Sequence, residues 1–307
     1  MLRKSTFLII LILILFFGAK TSSAKIQPGI SVSPSINHID LSVDQPEYAI
    51  TYSNNTKQAV TLKLSVEDFS EFENSYKLNF LEGIDAKNYK YSLSSWISFE
   101  TKSIELSPGE KKQVRIFIDK QRITKGGHYA SILAEVVSEN KQDKVNIKQV
   151  LSSLLFVRAA TGQETEQGKI NDFKPLQDGI EYPDEFVLRF ENSGNVQVIP
   201  YGLIQVYDPL GNLVAKGIFN ENSLDALPES IRTYDIKTTT YQPVLIPGIY
   251  TAKASLHFGK NNIKTYHNIT FFSLGSFDFT KILVILILIG ALIFYYKKRV
   301  YKHKKQS

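Results

Sequence analysis

The strongest constraint on the fold is an alternation of apolar and polar residues over short stretches of the chain. It runs through residues 60–67, 114–119, 186–190 and 250–258. A period of two places every second side chain on the same face of a β-strand, whereas a helix requires a period near 3.6. Because no stretch between residues 30 and 270 carries a long helical period, the sequence predicts an all-β fold.

Turn motifs and a change in composition divide this β-region. Ser107-Pro108-Gly109 and the Asp-Pro-Leu-Gly-Asn run at 208–212 are chain-reversal sequences. Many short strands joined by such turns indicate β-sandwiches. Residues 161–168 lose the apolar alternation, so we expect a linker there between domains at 28–160 and 169–275.

An internal echo indicates that the two domains are related. Leu106-Ser107-Pro108-Gly109-Glu110 precedes a strand and then Gly127-His128-Tyr129, whereas Leu227-Pro228-Glu229-Ser230 precedes a strand and then Gly248-Ile249-Tyr250. Tyr129 follows Pro108 by 21 positions, and Tyr250 follows Pro228 by 22. This spacing predicts two tandem immunoglobulin-like sandwiches in which each tyrosine begins the strand of a tyrosine corner.

The echo also locates an insertion in the first domain. Asn54 and Asn192 each end a predicted strand, but 54 positions separate Asn54 from Pro108 and only 36 separate Asn192 from Pro228. The first domain therefore carries about 18 extra residues, which we place within residues 69–95.

Both ends of the chain are apolar. Arg3 and Lys4 precede an apolar run at 7–17, which predicts a signal peptide at 1–24. Residues 277–296 are mostly apolar and precede a lysine-rich tail at 297–307, which predicts a single transmembrane α-helix with a cytoplasmic tail. On this interpretation the chain is a cell-membrane protein whose N-terminal region is extracellular.

Charge and cysteine content exclude several function classes. The net charge of +6 comes from the two ends, because residues 25–278 hold 26 Lys plus Arg against 30 Asp plus Glu. We therefore predict no nucleic-acid partner. The chain has no cysteine, so disulfides and thiolate metal sites are excluded.

No motif indicates catalysis. None of the five histidines has the spacing of a familiar metal motif, and nucleophile elbows and phosphate-binding loops are missing. Glu71 and Glu73 form a carboxylate pair, but we interpret it as a solvated loop feature. The sequence predicts a protein that is not an enzyme and has no metal or cofactor.

The insertion supplies the candidate ligand-binding residues because it is rich in aromatic side chains. Such side chains stack on sugar rings and anchor protein interfaces. For Trp96, which lies beside Ile97, the alternative is a place in the sandwich core. Tryptophan at such a position more often fills the core than a binding groove. The candidates are Tyr76, Tyr89, Tyr91 and Trp96.

The order of motifs resembles a known family over nearly the whole chain. The motifs are Val66-Glu67-Asp68-Phe69, Ser95-Trp96-Ile97, Gly126-Gly127-His128-Tyr129-Ala130, Phe190-Glu191-Asn192-Ser193-Gly194-Asn195, Pro209-Leu210-Gly211 and Pro247-Gly248-Ile249-Tyr250. With the two apolar ends, this order resembles the WxL-interacting-protein group of bacterial cell-surface membrane proteins. The resemblance implies a peptidoglycan-binding first domain and a second domain that contacts wall-associated WxL proteins.

Three functions remain open on the sequence alone. The leading hypothesis is a non-catalytic, membrane-anchored surface protein that binds cell-wall glycan or wall-associated surface proteins. The alternative is a chaperone-like assembly factor that lends a strand to secreted subunits, since residues 108–118 and the linked domains resemble pilus chaperones. The third is an accessory subunit of a membrane complex.

Overall fold

The chain is described by a computed structural model over residues 29–71, 77–137, 149–244 and 246–275, with residues 287, 289, 290, 293 and 294. The predicted signal peptide at 1–24 and the tail at 297–307 lie outside these residues. Most of the predicted transmembrane helix at 277–296 also lies outside them, and no helix in the described part of the chain is long and apolar enough to cross a membrane.

The first domain consists of two sheets packed against each other. Its strands are β1 (Ile30–Ser33), β2 (Ile36–Asp40), β3 (Glu47–Asn54), β4 (Val60–Glu71), β5 (Leu78–Phe80), β6 (Ile97–Phe99), β7 (Ser103–Leu106), β8 (Lys111–Ile118), β9 (Gly127–Val137) and β10 (Val150–Arg158). One sheet has the order β1-β3-β8-β6. The other has the order β2-β10-β9-β4-β5, with β7 also paired to β4. Only the β2–β10 pair is parallel among these pairings.

The second domain is also a two-sheet sandwich. Its strands are β11 (Gly168–Pro175), β12 (Glu185–Asn192), β13 (Tyr201–Tyr207), β14 (Leu213–Phe219), β15 (Ser230–Lys237), β16 (Thr239–Thr240), β17 (Gly248–Phe258) and β18 (Ile263–Ser273). The smaller sheet has the order β11-β12-β15, and the larger has the order β16-β14-β13-β17-β18. The predicted linker at 161–168 follows β10, and its last residue is the first of β11.

The two domains share one pattern of strand pairing, which confirms the prediction of two immunoglobulin-like β-domains. The series β1-β3-β8 in the first domain corresponds to β11-β12-β15 in the second. The series β4-β9-β10 corresponds to β13-β17-β18. The repeated sequence motifs lie at equivalent places in these series, so the echo reflects a repeated topology.

The alternating residues point into the cores as the sequence predicts. On β17 every second side chain is at most 1% exposed, namely Tyr250, Ala252, Ala254, Leu256 and Phe258. Burying a large apolar side chain stabilises the fold by roughly 1.5–3 kcal/mol. The same alternation leaves the opposite face of β17 open, with Lys253 exposed.

The insertion in the first domain is a short excursion from the end of β4. Strand β5 folds back on residues Phe69–Glu71. Helix α1 (Gly83–Asn88) follows, and a 3₁₀ turn at Ser94–Trp96 leads into β6. The insertion thereby brings its aromatic side chains to the end of the first domain that contacts the second.

Candidate functional site

A cluster of buried side chains joins the two domains. Its members are Phe69, Tyr91, Tyr129, Phe156 and Leu227. Four come from the first domain and Leu227 comes from the second. Phe69 and Phe156 meet edge to face with ring centroids 5.4 Å apart, a favourable aromatic geometry. We call this set the junction cluster.

Tyr129 links the domains by hydrogen bonds as well as by packing. Its hydroxyl donates to Oε1 of Gln197 at 3.0 Å and accepts from the backbone N–H of Gln197 at 2.9 Å. Burial raises the pKa of Tyr129 well above its usual value. The prediction of a tyrosine corner at Tyr129 is therefore wrong. It holds for Tyr250, whose hydroxyl donates to the carbonyl of Ile246 four positions upstream.

A buried ion pair crosses the junction. Nη1 of Arg232 lies 3.2 Å from Oε1 of Glu71, and the two side chains are 8% and 2% exposed. The other carboxylate oxygen accepts from the hydroxyl of Ser230 at 2.6 Å. Loss of hydration on burial raises the pKa of Glu71, although Ser230 and Arg232 oppose this shift. Glu71 is thus a structural residue, and the prediction that it is solvated is wrong.

Four further ion pairs surround the junction cluster. Their partners are His38 and Asp225 at 2.9 Å, Lys90 and Glu229 at 2.5 Å, Arg158 and Glu166 at 2.7 Å, and Asp40 and Lys260. The first, second and fourth join a residue of the first domain to one of the second. Exposed pairs contribute little individually, but here they accompany a packed apolar centre. The junction is therefore a specific contact.

The pair of His38 and Asp225 makes the junction sensitive to pH. The hydrogen bond to Asp225 raises the pKa of His38 above its usual 6.5, against the lowering effect of burial. A histidine whose folded pKa is raised stabilises the fold fully below its unfolded pKa, and this contribution disappears as pH rises through the folded pKa. We expect the urea midpoint to fall between about pH 6 and 8. An equal fall of the urea midpoint with pH in His38→Asn would contradict this assignment.

The cleft beside the junction has no arrangement that indicates catalysis. A cavity of about 300 Å³ is lined by His38, Asp40, Arg158, Glu166, Lys260 and neighbouring residues. These charged groups are already paired with one another or with Asp225. In the described part of the chain, no group of three acidic, histidine or cysteine side chains could hold a metal ion.

The candidate residues that the structure describes are buried or half-buried. Tyr76 lies outside the described residues. Tyr91 is 4% exposed in the junction cluster, and Tyr89 packs edge to face against it at 5.9 Å. Trp96 lies elsewhere, partly buried against the first core, with its ring 4.4 Å from that of His128. Sequence reasoning missed the role of Glu71, Tyr129, Gln197 and Arg232 at the junction, since no local pattern connects positions so far apart.

Within the described part of the chain, the first half of β10 is an open sheet edge. The N–H of Leu154 donates to Ser35 on the side of β2, and pairing with β2 begins at this residue. Because backbone groups alternate in direction along a strand, those of Ser152 and Val150 point to the same side. Among the described residues no strand pairs with them there. We call residues 150–153 the β10 edge.

The β10 edge differs in its charge from the open part of β8 and from the edge strand β18. Its sequence is Val-Leu-Ser-Ser, and Val150 is 45% exposed. The open part of β8 carries Lys111 and Lys112, and the edge strand β18 carries Lys264. Lysine on an edge strand discourages pairing with another chain. The β10 edge is uncharged and is therefore better suited than these two edges to accept a strand.

Comparisons with known proteins give structural matches only. No family model matches the chain, and no curated protein matches it. The class 5 fimbriae chaperone CfaA matches at 9% identity over 80% of this chain and 99% of that chain, with a TM-score of 0.40. The Pseudomonas aeruginosa CupB2 chaperone matches at 10% over 78% and 98%, with a TM-score of 0.39. The Salmonella enterica SafA pilin in complex with the SafB chaperone matches at 10% over 80% and 96%, with a TM-score of 0.37.

These findings correct several predictions. The structures named by the comparison are chaperones or chaperone complexes, fimbrial ones among them, so the predicted WxL-interacting-protein family is wrong. The partners that this family implied, cell-wall peptidoglycan and wall-associated surface proteins, are wrong with it. The predicted single-pass location in the cell membrane is also wrong: one match is the periplasmic chaperone SfaE, and no spanning helix is found in the described ranges.

Proposed function

We propose that the chain is a non-catalytic, chaperone-like assembly factor that holds a partner polypeptide by strand addition along the β10 edge. The observation that carries the proposal is the one-sided pairing of residues 150–153, which bond to β9 but extend beyond the start of β2. An extended segment of a partner could continue the line of β2 along this edge. Such augmentation uses main-chain hydrogen bonds for affinity and side-chain pockets for selectivity.

The rest of β10 holds this edge in place. Phe156 packs in the junction cluster, and Arg158 is paired with Glu166 at 2.7 Å. The strand is therefore anchored at its C-terminal end while its N-terminal half presents backbone groups to a partner. Each hydrogen bond that a partner adds contributes about 0.5–1.5 kcal/mol net. A short edge thus gives reversible holding, which suits an assembly factor.

Ser152→Pro tests this edge directly. Proline removes the outward N–H of Ser152 without removing a bond to β9, and such edge positions tolerate proline. The probe is an immunoglobulin-like domain that lacks one edge strand, refolded from urea beside the full-length chain. Because the chain has no cysteine, Val150→Cys provides one attachment point for a cross-linker. We expect Ser152→Pro to reduce cross-linked probe about tenfold or more.

Matched variants distinguish strand addition from non-specific binding of the probe. Ser152→Ala loses the same hydroxyl but keeps the N–H, and it should capture the probe like the parent. A cross-linker at Lys111→Cys, on the lysine-bearing edge of β8, should capture little. Circular dichroism and the urea midpoint establish that Ser152→Pro is folded. Equal capture by folded Ser152→Pro and Ser152→Ala would refute the proposal.

A further inference from the structure

The outward face of the larger sheet in the second domain carries cations and no anions. Strands β13, β14, β16, β17 and β18 contain no aspartate or glutamate. Their lysines at the outward face are Lys216, Lys253 and Lys264, and none has an ion-pair partner among the described residues. The smaller sheet of the same domain holds acidic residues, including Glu185 and Asp235. The smaller sheet also holds lysine and arginine, so both signs are mixed there and only the outer face of the larger sheet carries cations alone.

Strand register places an apolar row across the outer face. Ile218 on β14 pairs with Leu203 on β13, Leu203 pairs with Ser255 on β17, and Ser255 pairs with Tyr266 on β18. Ile218, Leu203 and Tyr266 are 59%, 44% and 61% exposed. Four strands spaced about 4.8 Å apart make this row about 14 Å long.

Lysines border the apolar row on both sides. On one side lie Lys216, Gln205 and Lys253, which are paired across their strands. On the other side Lys264 pairs with His257. Each bordering row is two residues along the strands, or about 7 Å, from the apolar row.

We propose that this outer face docks an amphipathic α-helix of a partner protein whose apolar stripe is flanked by acidic residues. The backbone groups of central strands are already paired within the sheet, so the face offers only side chains. An occupant must therefore satisfy its own backbone, as a helix does. A helix is about 10–12 Å wide with its side chains, which matches an apolar row with cations about 7 Å to each side.

Charge selects this occupant over a second copy of the chain. Two copies placed face to face would bring Lys216, Lys253 and Lys264 against the same three lysines, which is unfavourable. Two carboxylates, Glu221 and Asp235, lie beyond β14, where they line a concavity of about 680 Å³ with Ile218 and Lys216. They sit at one margin and leave the rows across β13, β17 and β18 without a negative charge. This proposal is independent of the β10 edge.

The test uses a synthetic helical peptide of about 14 residues, long enough to cross the apolar row. Leucines form one stripe and glutamates flank it; a second peptide has lysine in place of every glutamate. Fluorescence anisotropy with the full-length chain should detect the glutamate peptide. Lys216→Glu combined with Lys253→Glu should weaken its binding about tenfold or more and should strengthen binding of the lysine peptide.

Controls make each outcome decisive. Lys102→Glu combined with Lys111→Glu changes the net charge equally on the first domain and should leave both affinities within about twofold. Leu203→Gln should weaken the glutamate peptide while keeping its salt dependence. No binding of that peptide, or equal loss in both double variants, overturns the proposal. Binding of phosphatidylglycerol vesicles, lost in Lys216→Glu with Lys253→Glu while the peptide fails to bind, would assign the face to anionic lipid instead.

Discussion

Replacing Arg232 by leucine is expected to lower the free energy of unfolding by about 3–5 kcal/mol at neutral pH. The substitution leaves the carboxylate of Glu71, which is 2% exposed, without its cation. Ser230 and the backbone N–H of Leu227 still donate to Glu71, but neither carries a charge. Urea unfolding followed by tryptophan fluorescence at Trp96 and by circular dichroism measures the loss.

The effect of the uncompensated charge on Glu71 can be separated from the effect of removing the volume of the Arg232 side chain. Adding Glu71→Gln to Arg232→Leu removes the uncompensated charge, so the double variant should recover part of the stability. Arg115→Leu is the matched control, because Arg115 also pairs with carboxylates but is 54% exposed. It should shift the midpoint far less. Equal shifts in Arg232→Leu and Arg115→Leu would show that the buried pair does not hold the junction.

The Glu71 result also has a pH signature. Burial already raises the pKa of Glu71, and removal of Arg232 should raise it further. A carboxyl with a raised folded pKa favours the folded state at low pH, and that contribution is lost as pH rises above the unfolded value of about 4.3. The penalty for Arg232→Leu should therefore be smaller near pH 5 than near pH 7.

The strands could be predicted from the sequence because alternation is a local signal. The five inward residues of β17 need no knowledge of their partners to be recognised as one face. Glu71 is different: it lies at the end of β4, and Ser230, which bonds it, is 159 positions away. Nothing in the sequence around Glu71 distinguishes a solvated carboxylate from one that meets another domain. The contact between the two domains could therefore not be predicted from the sequence.

For the aromatic insertion, the sequence predicts that the side chains need a contact but not which contact they make. A high density of aromatic side chains indicates that large apolar surfaces must be buried in the protein or against a partner. The sequence cannot say whether the partner is a ligand or the neighbouring domain, because both contacts use the same side chains. Tyr91 resolves the choice by packing against Tyr129 with ring centroids 6.1 Å apart. At Tyr91 the contact is therefore made by the protein itself.

The echo of Asn54 and Asn192 carried more information than its sequence spacing revealed. Both side chains are fully buried at the end of equivalent strands. Asn54 donates to the carbonyls of Gln58 and Leu106, and Asn192 donates to those of Val196 and Ala226. Each amide oxygen also accepts from the backbone N–H two residues later. In both domains the asparagine side chain donates to the carbonyl four residues later, so the same hydrogen-bond arrangement closes both sandwiches.

Asn192→Asp is expected to lower the free energy of unfolding at pH 7 by more than Asn192→Ala, for which we expect about 2–3 kcal/mol. Aspartate keeps the size and the acceptor, but it directs an oxygen instead of an amide at the carbonyls of Val196 and Ala226. Its folded pKa must rise, so its stability should fall as pH increases from about 4 to 7. Asn54→Asp should behave alike, because its bonding is the same. Asn222→Asp, at an exposed loop position, is the control and should change little; an Asn192→Asp variant as stable as the parent at pH 7 would refute the role of the amide.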